Sequence, residues 1–99
     1  MFRHSRLEHV WAYMLRIDKI QDGQNTTLHL SGRIQAEDLS SLRQQLEQLD
    51  DNLTLDLNET RLVDESAVRF LAECQSNGII LRDCADYIRE WIRRVSESK

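Results

Sequence analysis

The segment Asp64-Glu65-Ser66 places two acids and a hydroxyl directly before an apolar run. An aspartate in this position is typical of a helix N-cap, whose side chain accepts backbone N–H groups of the first turn. Ser66 places a hydroxyl in the first turn of the expected helix, and Glu65 places a fixed negative charge beside it. The plainer alternatives are an ordinary cap for Asp64 and a favourable contact with the helix dipole for Glu65.

The cysteines and histidines show no metal-binding or catalytic pattern. Cys74 and Cys84 lie ten residues apart with no histidine nearby in sequence, which does not match the spacing of zinc ligands. Ser66 has no neighbouring histidine base, and the three glycines stand apart from one another, so no phosphate-binding loop is indicated. We expect Cys74 to fill the core and Cys84 to be a packed thiol. The alternative for Cys84 is a helix N-terminus that lowers its pKa. The sequence predicts no metal, no cofactor and no enzymatic activity.

Charge is distributed unevenly along the 99 residues. Residues 21–81 carry a net charge of −7, whereas residues 1–20 carry +2 and residues 82–99 carry +1. An acidic middle repels phosphates, which argues against a nucleic-acid partner. No apolar run reaches the roughly 18 residues of a membrane span, and no secretory signal follows the first basic residues. These features predict a cytoplasmic protein that does not insert into a membrane.

Hydrophobic periodicity predicts short strands that alternate with helices. Residues 14–20 alternate as a strand, Asp22-Gly23 indicates a tight turn, and residues 26–30 form the returning strand of an antiparallel hairpin. A leucine stripe predicts a helix over residues 36–49, formed by Leu39, Leu42, Leu46 and Leu49.

The second half continues with a strand over residues 53–57 and a helix over 65–76, which Asn77-Gly78 ends. A strand over 79–81 follows. The order β-β-α-β-α-β-α predicts an α/β fold with a small mixed sheet of about four strands and helices mainly on one face.

A final helix is predicted after an N-cap at Asp83 or Asp86. Its apolar face comprises Tyr87, Ile88, Trp91, Ile92 and Val95. We expect Tyr87 and Trp91 to pack against the sheet. If either is exposed, it becomes an anchor for a protein partner.

The chain is predicted to contain one domain over residues 14–99, preceded by an extension over residues 1–13. Leu7, Val10 and Trp11 have helical spacing, so the extension is either a short amphipathic helix or a disordered segment.

The order of these elements resembles the STAS domain, the module of anti-sigma-factor antagonists and of the cytoplasmic tails of sulfate transporters. The resemblance covers roughly residues 14–97. Its motifs are Leu28-His29-Leu30-Ser31-Gly32-Arg33-Ile34, Leu53-Thr54-Leu55-Asp56-Leu57, Leu62-Val63-Asp64-Glu65-Ser66-Ala67 and Asn77-Gly78-Ile79-Ile80-Leu81.

In the STAS family, the junction of strand and helix usually reads Asp-Ser-Ser/Thr-Gly, and a partner kinase phosphorylates the first serine. Here the junction reads Asp64-Glu65-Ser66-Ala67, so Glu65 replaces that serine. Glu65 either mimics the phosphorylated form in part or only stabilises the helix start. Ser66 stays a possible phosphorylation site. However, one position along a helix turns a side chain by about 100°, so a kinase aligned for position 65 would not present its phosphate correctly to Ser66.

The resemblance implies a bacterial regulatory protein that binds a partner and is not switched at the usual position. Its partner would be an anti-sigma factor with a serine-kinase fold. An alternative role is a STAS-like accessory subunit of a membrane lipid-transport ATPase complex. A third, a sensor that binds a small anion or lipid at the helix N-terminus, is disfavoured by the two acids there. The partner-facing surface would span residues 58–69 and use Glu59, Arg61, Asp64, Glu65, Ser66 and Arg69.

Overall fold

A computed structural model describes residues 14–49 and 52–97, which form a five-stranded mixed sheet and three α-helices. The first half comprises β1 (Arg16–Asp22), β2 (Asn25–Ile34), a 3₁₀ helix (Ala36–Asp38) and α1 (Leu39–Glu47). The second half comprises β3 (Asn52–Asp56), β4 (Thr60–Val63), α2 (Glu65–Ser76), β5 (Ile80–Arg82) and α3 (Asp86–Glu97). The predicted α/β fold is confirmed, with β4 as an additional strand.

β2 lies at the centre of the sheet. It pairs with β1 in antiparallel register through a two-residue turn, in which Gly23 has the positive φ of 62° that such turns favour. It pairs in parallel with β3 through residues 25–29 and with β4 through residues 32–34. β2 therefore extends beyond its predicted end at Leu30, because β4 supplies a pairing partner for its last residues.

The pairing between β2 and β4 contains a β-bulge. Gly32 is opposite Thr60, but the next residue, Arg33, is opposite Leu62, so Arg61 is the extra residue. Gly32 has a φ of 91° at this point, a conformation that glycine adopts without strain. The bulge lies just before the start of α2 and changes the direction of the chain there.

The helices cover one face of the sheet. Along β2, buried and half-buried residues alternate, with Leu28, Leu30 and Ile34 fully buried. The core also contains Leu55 and Leu57 together with the inward side chains of the helices, which are Leu42, Ala67, Val68, Phe70, Leu71, Cys74, Ile88 and Ile92. The alternate positions of the strands lie on the other face, which we call the open face.

The C-terminus of α2 ends as the sequence predicts. The Ile79 amide donates to the Cys74 carbonyl at 3.0 Å, and the Gly78 amide donates to the Gln75 carbonyl at 3.1 Å. With Gly78 at a φ of 92°, these bonds form a Schellman motif, which satisfies the last carbonyls of the helix.

One expectation for α3 is wrong. Ile88 and Ile92 are buried and Trp91 and Val95 pack partly against the core, but Tyr87 is 48% exposed. The Tyr87 hydroxyl donates to the Arg61 carbonyl, so the ring lies beside the bulge of β4 and not in the core.

The predicted extension over residues 1–13 lies outside the described residues. Within the described part of the chain, no helix has both the length and the apolar composition needed to cross a membrane.

Candidate partner-binding site

Asp64 holds the start of α2 against the loop that follows β2. Its Oδ1 accepts the Ala67 amide at 2.8 Å, as a helix N-cap does. Its Oδ2 accepts the Ala36 amide at 2.9 Å, and its own amide donates to the Ile34 carbonyl at 3.3 Å. Both carboxylate oxygens therefore position the chain, and a direct contact of Asp64 with a partner stays a prediction.

The loop that Asp64 contacts is itself braced. The Gln35 amide donates to Asp38 Oδ2 at 2.9 Å, and the Asp38 amide donates to the Gln35 carbonyl at 2.9 Å. This reciprocal pair closes the 3₁₀ helix that leads into α1. Through Asp64, the β4–α2 junction is consequently attached to this 3₁₀ helix, which has its own hydrogen bonds.

Glu65, Ser66 and Arg69 are exposed on the first turns of α2. Arg69 contacts Glu65 Oε2 through Nη2 at 2.8 Å and through Nε at 3.2 Å. Ion pairs this exposed contribute little to stability, so a partner can displace Arg69 from Glu65 at small cost. The junction presents an ion pair with a hydroxyl beside it, and not an isolated negative charge.

Glu59 belongs to a different group of side chains. It lies in the β3–β4 turn, where its Oε1 is 3.2 Å from His29 Nε2 and 3.5 Å from the Ser31 hydroxyl. The six predicted residues thus do not form one cluster: Glu59 lies on the turn, whereas Asp64, Glu65, Ser66 and Arg69 lie at the start of α2. Arg61, the bulge residue, lies between them in the chain.

Asp56 is the centre of the group around Glu59 and is only 8% exposed. Its Oδ2 is 3.0 Å from His29 Nδ1 and 3.1 Å from Arg82 Nη2, and its Oδ1 accepts the Asn58 amide at 3.0 Å. Burial alone would raise the pKa of Asp56, but the bonds from Asn58, Arg82 and His29 outweigh burial and lower it. The carboxylate is therefore held ionised.

In His29, too, hydrogen bonds outweigh burial and favour the charged form, which for a histidine means a raised pKa. The hydrogen bond with Glu59 is the largest cause that raises the pKa of His29, burial opposes it, and Asp56 adds to the rise. Sequence reasoning missed this cluster because His29 and Asp56 are 27 residues apart. The parallel register of β2 and β3, which places them opposite each other on the open face, is the signal that would have revealed it.

Exposed apolar side chains accompany the junction. Leu62 on β4 is 47% exposed, and Tyr87 on α3 is 48% exposed. The bulge at Arg61 places its carbonyl within reach of the Tyr87 hydroxyl. Tyrosine is frequent among residues that dominate protein interfaces, so an aromatic anchor is available at this edge of the domain.

The cysteines lie away from the junction. Cys74 is buried, as expected, and burial raises the pKa of its thiol to about 11. Burial also raises the pKa of Cys84. The alternative for this residue, that a helix N-terminus lowers the pKa of its thiol, is therefore wrong. Among residues 14–49 and 52–97, no three histidine, cysteine, aspartate or glutamate side chains are grouped so as to hold a metal ion.

The family model described as "Mlab, STAS domain" matches residues 17–80, a span that includes β3, β4 and the whole of α2. No curated protein matches the chain. STAS domains typically interact with other proteins and are generally non-catalytic binding modules. Because the match covers more than half of the sequence, the chain belongs to the STAS domain family.

Proposed function

We propose that this STAS domain is a non-enzymatic regulatory module that binds a protein partner through residues 58–69, the junction surface. The observation that carries the proposal is the Asp64 clamp. Its two carboxylate oxygens fix the start of α2 to the neighbouring loop, while Glu65, Ser66 and Arg69 stay exposed. A surface that is already ordered loses little conformational freedom on binding.

Charge supports a role in selecting the partner. Glu59 and Glu65 are both exposed, and each is paired with a basic side chain of this chain. A partner with basic groups at matching positions can take over these contacts. Complementary charges of this kind speed encounter and exclude wrong partners more than they add affinity.

The module is proposed to act without phosphorylation at the usual STAS position. Glu65 occupies that position by resemblance, and it has no hydroxyl to modify. Its carboxylate supplies about one charge, against the nearly two charges of a phosphate, and Arg69 already neutralises part of it. Glu65 thus supports a constant binding state and not a switched one.

Two classes of partner fit this surface. The first is an anti-sigma factor with a serine-kinase fold, as the STAS resemblance implies. The second is the ATPase of a membrane lipid-transport complex, of which this chain would be an accessory subunit. The resemblance favours the second, because it places Glu65 where the antagonists carry the phosphorylated serine, and a glutamate has no hydroxyl to modify.

Replacing Glu65 by arginine tests the junction surface. The substitution removes the ion pair and sets two positive charges one helical turn apart, so we expect affinity for the partner to fall at least about tenfold, or roughly 1.4 kcal/mol, and capture from a lysate of the source cells to fall with it. Glu97→Arg is the control for the change of charge, because Glu97 also forms an exposed i, i+4 ion pair with an arginine, Arg93, but near the end of α3 and outside residues 58–69.

Mass spectrometry of the captured proteins separates the two roles. A kinase-fold protein that is lost with Glu65→Arg and retained with Glu97→Arg supports the antagonist, whereas an ATPase that fractionates with membranes supports the transport subunit. Equal capture by the wild-type chain and Glu65→Arg would contradict the junction surface.

A further inference from the structure

Both ring nitrogens of His29 meet carboxylate oxygens. Nδ1 is 3.0 Å from Asp56 Oδ2, and Nε2 is 3.2 Å from Glu59 Oε1. An ionised carboxylate only accepts hydrogen bonds, and a neutral imidazole carries a single N–H. Both contacts are therefore hydrogen bonds at the same time only when His29 is doubly protonated.

The charged groups around His29 come from every strand that packs beside it. Asp18 of β1 is opposite His29 in the register and is paired with Arg16 at 3.2 Å. Asp56 of β3 is shared between His29 and Arg82 of β5. Glu59 of the β3–β4 turn contacts the other ring nitrogen. Two carboxylates therefore contact the ring, while Asp18 lies opposite it in the register and the two arginines are already paired.

The two carboxylates would not be affected equally by loss of the proton. Asp56 is nearly buried and keeps its bonds from Arg82 and the Asn58 amide. Glu59 is exposed, and apart from His29 its side chain has the Ser31 hydroxyl at 3.5 Å. A neutral His29 that keeps its N–H on Asp56 therefore releases Glu59.

We propose that His29 is a pH-sensitive bridge that ties the Glu59 side chain to the sheet when protonated and frees it for a partner when deprotonated. Because Glu59 belongs to the junction surface, this regulation rests on the proposed function, whereas the bridge itself does not. Deprotonation frees an acidic side chain and removes a positive charge beside it. A partner that presents basic groups to the turn is then bound more tightly as pH rises.

NMR titration of the imidazole nitrogens of the full chain tests the bridge without a partner. The signal of His29 is assigned by its loss in His29→Gln. We expect His29 to titrate above its ordinary value of 6.5 and to move back toward 6.5 in Glu59→Gln. Glu97→Gln, which removes an exposed carboxylate elsewhere, should leave it unchanged. A wild-type value at or below 6.5, or one that Glu59→Gln does not alter, would overturn the bridge.

The bridge also makes the stability of the domain depend on pH. A pKa that is raised in the folded state adds stability that is fully present below the unfolded value, near 6.5, and is lost as pH rises through the folded value. The difference in unfolding free energy between wild type and Glu59→Gln should thus shrink above pH 6.5, as measured by urea denaturation. A difference that stays constant through this range would count against the bridge.

Partner binding tests the regulatory part separately. Affinity for the captured partner, measured from pH 6 to pH 8.5 or so, should rise with pH in the wild type, and the rise should be weaker in Glu59→Gln. If the NMR titration shows the bridge but the two pH profiles coincide, the regulatory role is overturned and the bridge is only structural. If the partner still depends on Glu65 in that case, the proposed function stands.

Discussion

Replacing Asp64 by alanine is expected to lower the free energy of unfolding by about 2 kcal/mol. Loss of an N-cap side chain typically costs about 1 kcal/mol. The second bond, from the Ala36 amide to Oδ2, adds a comparable amount, since a typical hydrogen bond contributes roughly 1 kcal/mol net. Urea denaturation of the purified chain measures the change.

Asp64→Asn is the control that separates the two bonds. The amide keeps one oxygen for the Ala67 amide, but its NH₂ group cannot accept from the Ala36 amide. Its expected loss is therefore about half that of Asp64→Ala. If Asp64→Ala changed the unfolding free energy by less than about 0.5 kcal/mol, a surface effect, Asp64 would not be the clamp that orders the junction.

Replacing Leu71 by alanine is expected to lower the free energy of unfolding by about 3 kcal/mol, within the range for buried leucines. Leu71 is fully buried on the inner side of α2, within the cluster that joins the helices to the sheet. Its removal leaves a cavity that a dense core fills only in part. The same denaturation measurement applies.

Gln75→Ala is the matched control for Leu71→Ala. Gln75 is exposed one turn further along α2, and alanine favours a helix slightly more than glutamine. Its effect should stay within about 0.5 kcal/mol. A loss below about 1 kcal/mol for Leu71→Ala would mean that α2 is not held to the sheet through this side chain.

The elements that the sequence predicts correctly are those with local signals. The β1–β2 hairpin follows from Asp22-Gly23, and α2 follows from an N-cap at Asp64 and a stop at Asn77-Gly78. In each case the residues that start or end the element also make its capping or turn contacts. Such elements can be predicted without knowledge of the tertiary fold.

β4 was missed because its formation depends on pairing at a distance. Residues 60–63 form a strand because residues 32–34 of β2 extend past β3 and offer a partner. The leucine-striped segment likewise begins as a 3₁₀ helix and becomes α1 only at Leu39. Tyr87, predicted to be core, lies at the surface, and its hydroxyl donates to the carbonyl of the bulge residue Arg61, a contact that also depends on the tertiary fold.

In the candidate site, too, some contacts can be predicted from local sequence and others depend on the tertiary fold. The Asp64 cap and the exposed Glu65–Arg69 pair follow from helix geometry, since an i, i+4 spacing places two side chains on one face. The contacts of Glu59 with His29 and Ser31 join residues 30 and 28 positions apart, and only the strand register brings them together. Charges that looked independent in the sequence are thus already paired in the fold.

The most direct test of the junction surface is amide hydrogen exchange of the full chain, alone and with the captured partner at saturation. The first amides of a helix have no intrahelical acceptor, so those of Glu65 and Ser66 report directly on coverage by a partner. Slower exchange concentrated in residues 58–69, with β1 unchanged, is the expected result. Protection confined to α1 or α3, with residues 58–69 unchanged, would contradict it.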